Sequence, residues 1–130
     1  MYCVDTNIIV DIMRGDTALA IKIDEMTSSG VNFLITPITL CELYRGAFLH
    51  INPDKKLQEV ESVIANFQSL DFDNLSCKIF GEVYSKLKKS GKIISDFDLM
   101  IASLVKSNNL ILVTRDKKHF KDFDIQVEVW

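Results

Sequence analysis

Four carboxylates, Asp5, Asp96, Asp98 and Asp116, border apolar runs, where an unpartnered carboxylate is costly to keep. Asp5 closes YCVD, Asp116 follows LILVT after one arginine, and Asp96 and Asp98 stand one residue apart in SDFDLMIAS. Taken singly, each has a plain structural use as a helix cap or as a negative charge on a helix N-terminus. Gathered at one place, they carry another meaning. Like charges about 5 Å apart repel by about 3 kcal/mol per pair at an effective dielectric near 20. A hard divalent cation relieves that repulsion, and an all-oxygen donor set is what Mg²⁺ or Mn²⁺ takes. Such an ion activates water and steadies charge on a phosphoryl group, which is what phosphodiester hydrolysis requires. No Ser/His or Cys/His arrangement offers a covalent nucleophile instead, and His50 and His119 read as isolated surface residues.

The elements decide whether the acids meet. YCVD (2–5) reads as a short buried strand that runs into an apolar helix, IIVDIM, ending near Arg14-Gly15. A second helix covers 17–26, where Leu19, Ile23 and Met26 recur at helical spacing. FLIT (33–36) is the next strand, and Thr36-Pro37 is a strong helix start, with Thr as N-cap and Pro in the first turn. That helix runs to about residue 50 and is followed by helices over 54–69 and 74–89, with a strand expected at LDF (70–72) between them. Ser95 is expected to cap the helix that carries Asp96 and Asp98. The strand LILVT, a turn of helix at KKHF and a last strand, IQVEVW, complete the order. Such alternation predicts an α/β fold in which a parallel sheet is covered by helices on both faces. Ligands of such sheets bind outside the carboxyl ends of the strands, which is where Asp5 and Asp116 fall.

Positions two apart on a helix point roughly 200° away from each other, so Asp96 and Asp98 cannot face one cleft. With Phe97, Ile101, Leu104 and Val105 taken as the core-facing side, Asp98 lies at the margin of that side and Asp96 in a polar sector. Asp98 is therefore the expected ligand. As the third helical residue after Ser95 it also suits a capping box.

At 130 residues the chain is expected to form one domain, 1–130, with a core sufficient to need no metal or disulfide staple. The apolar runs are too short for a membrane span, and no basic segment leads into an apolar one at the start, so neither a membrane partner nor a secretory signal is expected. Cys3, Cys41 and Cys77 are odd in number and set in apolar surroundings, which predicts buried free thiols in a reducing cytoplasm. The net charge of −3 argues weakly against a nucleic-acid partner, but its distribution softens that. Residues 1–65 carry five Lys+Arg against nine Asp+Glu, whereas residues 66–130 carry ten against nine. Local fields steer a polyanion, not the total.

The segments VDTN, PITLCELYRG, ISDFDLMIAS and LILVTRDKKHF, in that order and with a VEVW ending, together resemble the PIN-domain ribonucleases, and among them the VapC toxins of prokaryotic toxin–antitoxin pairs. The resemblance spans the chain. It implies a Mg²⁺- or Mn²⁺-dependent endoribonuclease on a five-stranded parallel sheet, with Asp5, Glu42, Asp98 and Asp116 as the acidic site. Glu42 enters on this motif alone, since on a helical wheel it falls with Arg45 and Gly46, away from the Leu40–Leu43–Tyr44–Ala47 side. Thr6, Asn7 and Thr114 match the polar residues that shape the pocket. Where Asp96 stands, such toxins often have a non-acidic residue. The resemblance further implies a homodimer and an antitoxin segment that enters the acidic groove.

Hydrolysis at such a site leaves a 5′-phosphate and a 3′-hydroxyl, and Arg115, Lys117 and Lys118 flank it as candidate contacts for RNA phosphates. Two other classes compete. Phosphotransfer through an aspartyl phosphate uses the same sheet edge, but the phosphatase pattern wants Asp-x-Asp where this chain has Asp5-Thr6-Asn7, and the receiver pattern wants an early acidic pair that is missing. A binding domain that has lost its chemistry would not be expected to keep all four acids.

Overall fold

The computed structural model describes residues 1–130. Its elements are β1 (Tyr2–Val4), α1 (Thr6–Met13), α2 (Thr17–Ser28), β2 (Phe33–Ile35), α3 (Pro37–Leu49), α4 (Pro53–Ile64), β3 (Gln68–Ser69), α5 (Asn74–Lys89), α6 (Asp96–Ser107), β4 (Ile111–Thr114), a 3-10 turn (Lys117–Phe120) and β5 (Gln126–Val129). The strands form one sheet in the order β3-β2-β1-β4-β5, with every pair parallel. The expected α/β architecture is the observed one.

Successive side chains of a strand point to opposite faces, and this sorts the core into two halves. Cys3, Leu34 and Leu112 face the side packed with Leu87 of α5 and Leu99, Ala102 and Leu104 of α6. Their chain neighbours Val4, Phe33, Ile35 and Val113 face the side packed with Ile8 and Ile9 of α1, Leu43 of α3 and Val60 of α4. Both faces of the central strands are buried, which explains why LILV and FLI are continuous apolar runs rather than alternating ones.

The carboxyl ends of the strands are also where helices begin, and polar residues there serve as caps. Asp5 accepts the Thr6 N–H at 2.8 Å, Thr36 accepts the Thr39 N–H at 3.0 Å, and Asp116 accepts the Lys118 N–H at 2.9 Å. At the far end of α6, Asn109 adopts φ 51°, a left-handed turn that Asn tolerates and that stops the helix before β4.

Several expectations are corrected. The helix expected over 54–69 stops at Ile64, where the Asn66 side chain bonds the carbonyls of Ser62 and Val63, both at 3.2 Å. The third strand accordingly lies at Gln68–Ser69 rather than at 70–72. Leu70 still donates its N–H to the Ile35 carbonyl at 2.9 Å as the pairing ends, and Leu70 and Phe72 pack on the core, so their alternation reports contact with the core more than a continued strand. Of the three thiols only Cys3 is buried, and burial, with Asp5 nearby, pushes it up to about 12, so it behaves as a small apolar group; Cys41 and Cys77 are exposed. Phe97, expected in the core, is 38% exposed, because Leu99, Ile101, Ala102, Leu104 and Val105 fill the buried side of α6 without it. Ser95 holds the N-cap position of α6 but makes no side-chain capping bond.

That difference between caps is measurable. Thr36 is fully buried and its hydroxyl is bonded within α3, so Thr36→Ala is expected to cost about 1–2 kcal/mol in denaturant unfolding. Ser95→Ala is expected to cost less than about 0.5 kcal/mol, within the range of an ordinary surface change. Equal losses for the two would contradict the observed capping geometry.

Candidate active site

Thr114 is the point from which the site is built. It is fully buried at the end of β4, and its hydroxyl donates to Asp5 Oδ2 at 2.7 Å. Thr114 Oγ1 itself accepts the Asn7 side-chain amide at 3.1 Å and the Asp116 N–H at 3.2 Å. Asn7 Oδ1 accepts the Arg115 N–H at 3.2 Å, which closes the link between the start of α1 and the segment after β4. Asp5 is thus buried, 8% exposed, with both carboxylate oxygens engaged. Burial lifts its pKa above the ordinary carboxylate value, opposed by the bonds from Thr114 and Thr6, and the charge of Asp116 lifts it further.

Glu42 reaches the same end of the sheet from α3. Thr6 Oγ1 lies 2.8 Å from Glu42 Oε1 and 3.2 Å from Thr39 Oγ1. A hydroxyl has one proton, and the charged acceptor makes the stronger bond, so Thr6 donates to Glu42 and accepts from Thr39. Thr36, 3.2 Å from Thr39, stands behind this relay. The motif residue that periodicity could not place is held by a threonine of the preceding motif.

Asp98 is half-buried at the first turn of α6. Burial is the main cause of its raised pKa. His119 works in the opposite direction, while the charges of Asp5, Glu42 and Asp116 all raise it. One carboxylate therefore feels the other three, and the four acids share one edge of the sheet. Asp96 is exposed and points elsewhere, into a surface depression lined by Tyr84, Lys88 and Lys92.

His119 was not singled out by the sequence, yet it stands among the acids. Its Nε2 is 3.3 Å from Asp116 Oδ2 and its Nδ1 is 3.8 Å from Asp98 Oδ2. The signal was the turn type: a 3-10 turn eclipses residues three apart, which sets position 119 over position 116. Arg115 corrects an expectation in the other direction. Its guanidinium bonds Asp11 at 2.8 Å, Asp16 at 2.6 Å and the carbonyl of Trp130, so it clamps the α1–α2 corner to the end of β5 and is not free for RNA. Lys117 and Lys118 are exposed and make no ion pair.

The donor set fits a hard cation. The acids supply only oxygen, and no Lys or Arg pairs with Asp5, Glu42, Asp98 or Asp116. They do not form a closed cage, since nowhere do three His, Cys, Asp or Glu groups converge tightly enough for one. An open carboxylate array suits Mg²⁺, which keeps several waters and takes one or two carboxylates together with substrate oxygens.

The sequence matches the PIN domain family over residues 2–126. It is 39% identical over 102 residues to Ribonuclease VapC3 of Methanocaldococcus jannaschii, covering 78% of this chain and 94% of that protein. It is 27% identical over 120 residues to the tRNA(fMet)-specific endonuclease VapC of Shigella flexneri, covering 92% of this chain and 89% of that protein. The fold superposes on the crystal structure of VapBC2 from Rickettsia felis, bound to a DNA fragment from its promoter, with a TM-score of 0.92 at 26% identity, over 99% of this chain and 98% of that one.

The raised pKa of Asp98 has a consequence for stability. The fold favours its neutral form, so the folded state binds more protons than the unfolded one between the ordinary and the raised value, and stability falls as pH rises through that window. The penalty is absent below about pH 4 and fully present above the raised value. Asp98→Asn is therefore expected to raise the metal-free melting temperature by a few degrees at pH 7, with the gain shrinking toward pH 4. A melting temperature that drops at pH 7 would mean that the charge of Asp98 stabilises the fold.

Proposed function

This chain belongs to the PIN-domain family, in its VapC branch, and on that premise we propose that it is a divalent-metal-dependent endoribonuclease acting at Asp5, Glu42, Asp98 and Asp116. The observation that carries the site is geometric: Asp5 is bonded to Thr114 at the end of β4, Glu42 to Thr6 beside Asp5, and Asp98 and Asp116 flank the same His119 ring at 3.8 and 3.3 Å, with no Lys or Arg ion-paired to any of the four. Asp5, Asp98 and Asp116, with Glu42, are the residues that would hold Mg²⁺ or Mn²⁺. When bound, the ion supplies a Lewis acid that polarises phosphoryl oxygens and makes water easier to deprotonate.

The chain's own groups divide the remaining work. Asp5 is fixed at both oxygens by Thr114 and Thr6, so it acts as the rigid reference of the site. Glu42 is held through Oε1 alone, and its Oε2 has no protein partner, which fits it to accept the proton of the attacking water. In-line attack on phosphorus then releases the 3′-oxygen and leaves a 5′-phosphate. Lys117 and Lys118, exposed and next in sequence to Asp116, are the candidate contacts for phosphates of the RNA. An aspartyl-phosphate route is disfavoured because Asn7, bonded to Thr114, stands where the phosphatase pattern has its second acid.

The chain serves as the toxin of a toxin–antitoxin pair, and its protein partner is an antitoxin; solved structures it resembles include VapBC complexes of Salmonella typhimurium and Haemophilus influenzae. We place its action on RNA in the cytoplasm, as a homodimer. No helix is long and apolar enough to cross a membrane.

Purified protein is expected to cut RNA, with tRNA among the substrates tested, in Mg²⁺ or Mn²⁺ and not in excess EDTA. Asp5→Asn should abolish cleavage, and Asp98→Asn should lower it more than about 100-fold, beyond the usual cost of disturbing a supporting residue. Asp96→Asn should stay within about tenfold, since a first-turn acid contributes only a dipole interaction. Cleavage that persists in EDTA defeats the metal reading, and Asp96→Asn falling further than Asp98→Asn defeats the site assignment.

A further inference from the structure

A polyanion approaching four carboxylates is repelled by them, and a bound divalent ion offsets this only around the reacting phosphate. Neighbouring nucleotides need attachment that does not depend on the acids. Two exposed residues on the helices that carry Glu42 and Asp98 have the chemistry for it, and neither has a use in the core.

Phe97 lies between Asp96 and Asp98 in the first turn of α6 and is 38% exposed, although the buried side of that helix is rich in smaller apolar residues. Arg45 lies three residues after Glu42 on α3, hence on the same side of that helix. Its guanidinium carbon sits 5.6 Å from the centroid of the Phe97 ring. That is near the outer limit of a cation–π contact, so the ring is not sealed. Arg45 is exposed and enters no hydrogen bond or ion pair, despite the acids close by in sequence on both helices. Its N–H donors remain free, in a planar fork suited to phosphate.

We propose that Phe97 and Arg45 form a subsite for one nucleotide of a single-stranded RNA, with the base stacked on the Phe97 ring and an adjacent phosphate held by the Arg45 guanidinium. Stacking on an aromatic ring tolerates any base and is not opposed by neighbouring negative charge. It requires an unpaired base, so the subsite selects loops and single strands over duplex. Because Phe97 and Glu42–Arg45 sit on the two helices that present Asp98 and Glu42, a nucleotide held there lies next to the reacting phosphate. The subsite rests on the nuclease reading above for its place beside the chemistry, but its binding can be measured without turnover.

The test is fluorescence anisotropy of a labelled single-stranded oligoribonucleotide with the full chain carrying Asp5→Asn in Mg²⁺, together with kcat and KM on the otherwise native protein. Phe97→Ala and Phe97→Leu are expected to weaken binding about tenfold, and Phe97→Tyr to keep it within about twofold. Arg45→Gln is expected to weaken binding and to lower the slope of log affinity against log salt by about one, with Arg45→Lys in between. In cleavage, Phe97→Leu should raise KM with little change in kcat, and a duplex of the same sequence should bind equally to Phe97→Leu and to its parent. The proposal is overturned if Phe97→Ala and Phe97→Leu leave RNA affinity within twofold, whether or not they lower the melting temperature or change the oligomeric state. A native protein that binds RNA through Phe97 and yet never cleaves it would defeat the nuclease reading and leave the subsite standing.

Discussion

A buried carboxylate needs partners, and at Asp5 they come from the far end of the chain. The Thr114 hydroxyl that bonds Asp5 lies 109 residues away in sequence, and it is in reach only because β1 and β4 pair in parallel with Val4 opposite Val113. A slip of one residue in that register would turn Thr114 to the other face and leave Asp5 buried without a donor. The same hydroxyl accepts from Asn7 and from the Asp116 N–H, so the ends of β1 and β4 and the starts of α1 and the 3-10 turn are set by one oxygen. The sheet register, the entry of α1 and the placement of two of the four acids are therefore a single constraint.

Capping and chemistry are not rival roles here. Asp5 and Asp116 both accept backbone N–H groups at the start of a helix or turn while presenting charge to the site. In a parallel sheet each strand end is followed by a helix N-terminus, so the residues best suited to end the strand and begin the helix are the ones closest to the ligand crevice. Asp5 takes this furthest. A carboxylate there serves the local backbone, and burial and the charge of Asp116 then make it costly, as is usual where a fold retains local strain for function.

Legibility in the sequence followed how local the signal was. Asp5 and Asp116 were readable because they terminate apolar runs, and Asp98 because two residues on a helix point apart; the structure leaves Asp98 half-buried and Asp96 exposed. Glu42 was not readable from periodicity, since what holds it is Thr6, 36 residues earlier. His119 looked isolated along the chain because its neighbours are Asp98, from another element, and Asp116, from a turn whose three-residue period differs from a helix. Arg115 looked like a free cation beside an acid, whereas its partners Asp11 and Asp16 lie about a hundred residues upstream. Phe97 failed for a related reason. Helical periodicity grouped it with Ile101, Leu104 and Val105, but at the first turn of α6 that side is already filled by the positions from Leu99 onward.

The disposition of cations around the acids follows from what an anionic centre must avoid. A guanidinium paired with Asp98 or Asp116 would relieve repulsion and stabilise the fold, but it would also occupy the oxygens a metal ion needs. In this chain Arg115, adjacent to Asp116, is drawn away by Asp11 and Asp16, and Arg45, one helical turn from Glu42, lies over a phenyl ring. The basic side chain within ion-pair distance of the acids is the His119 imidazole, 3.3 Å from Asp116 and 3.8 Å from Asp98. Arg45 and Arg115 are thus both kept off the carboxylates. A fold selected only for stability would pair them, and leaving the acids unpaired keeps their oxygens open for the divalent ion proposed above.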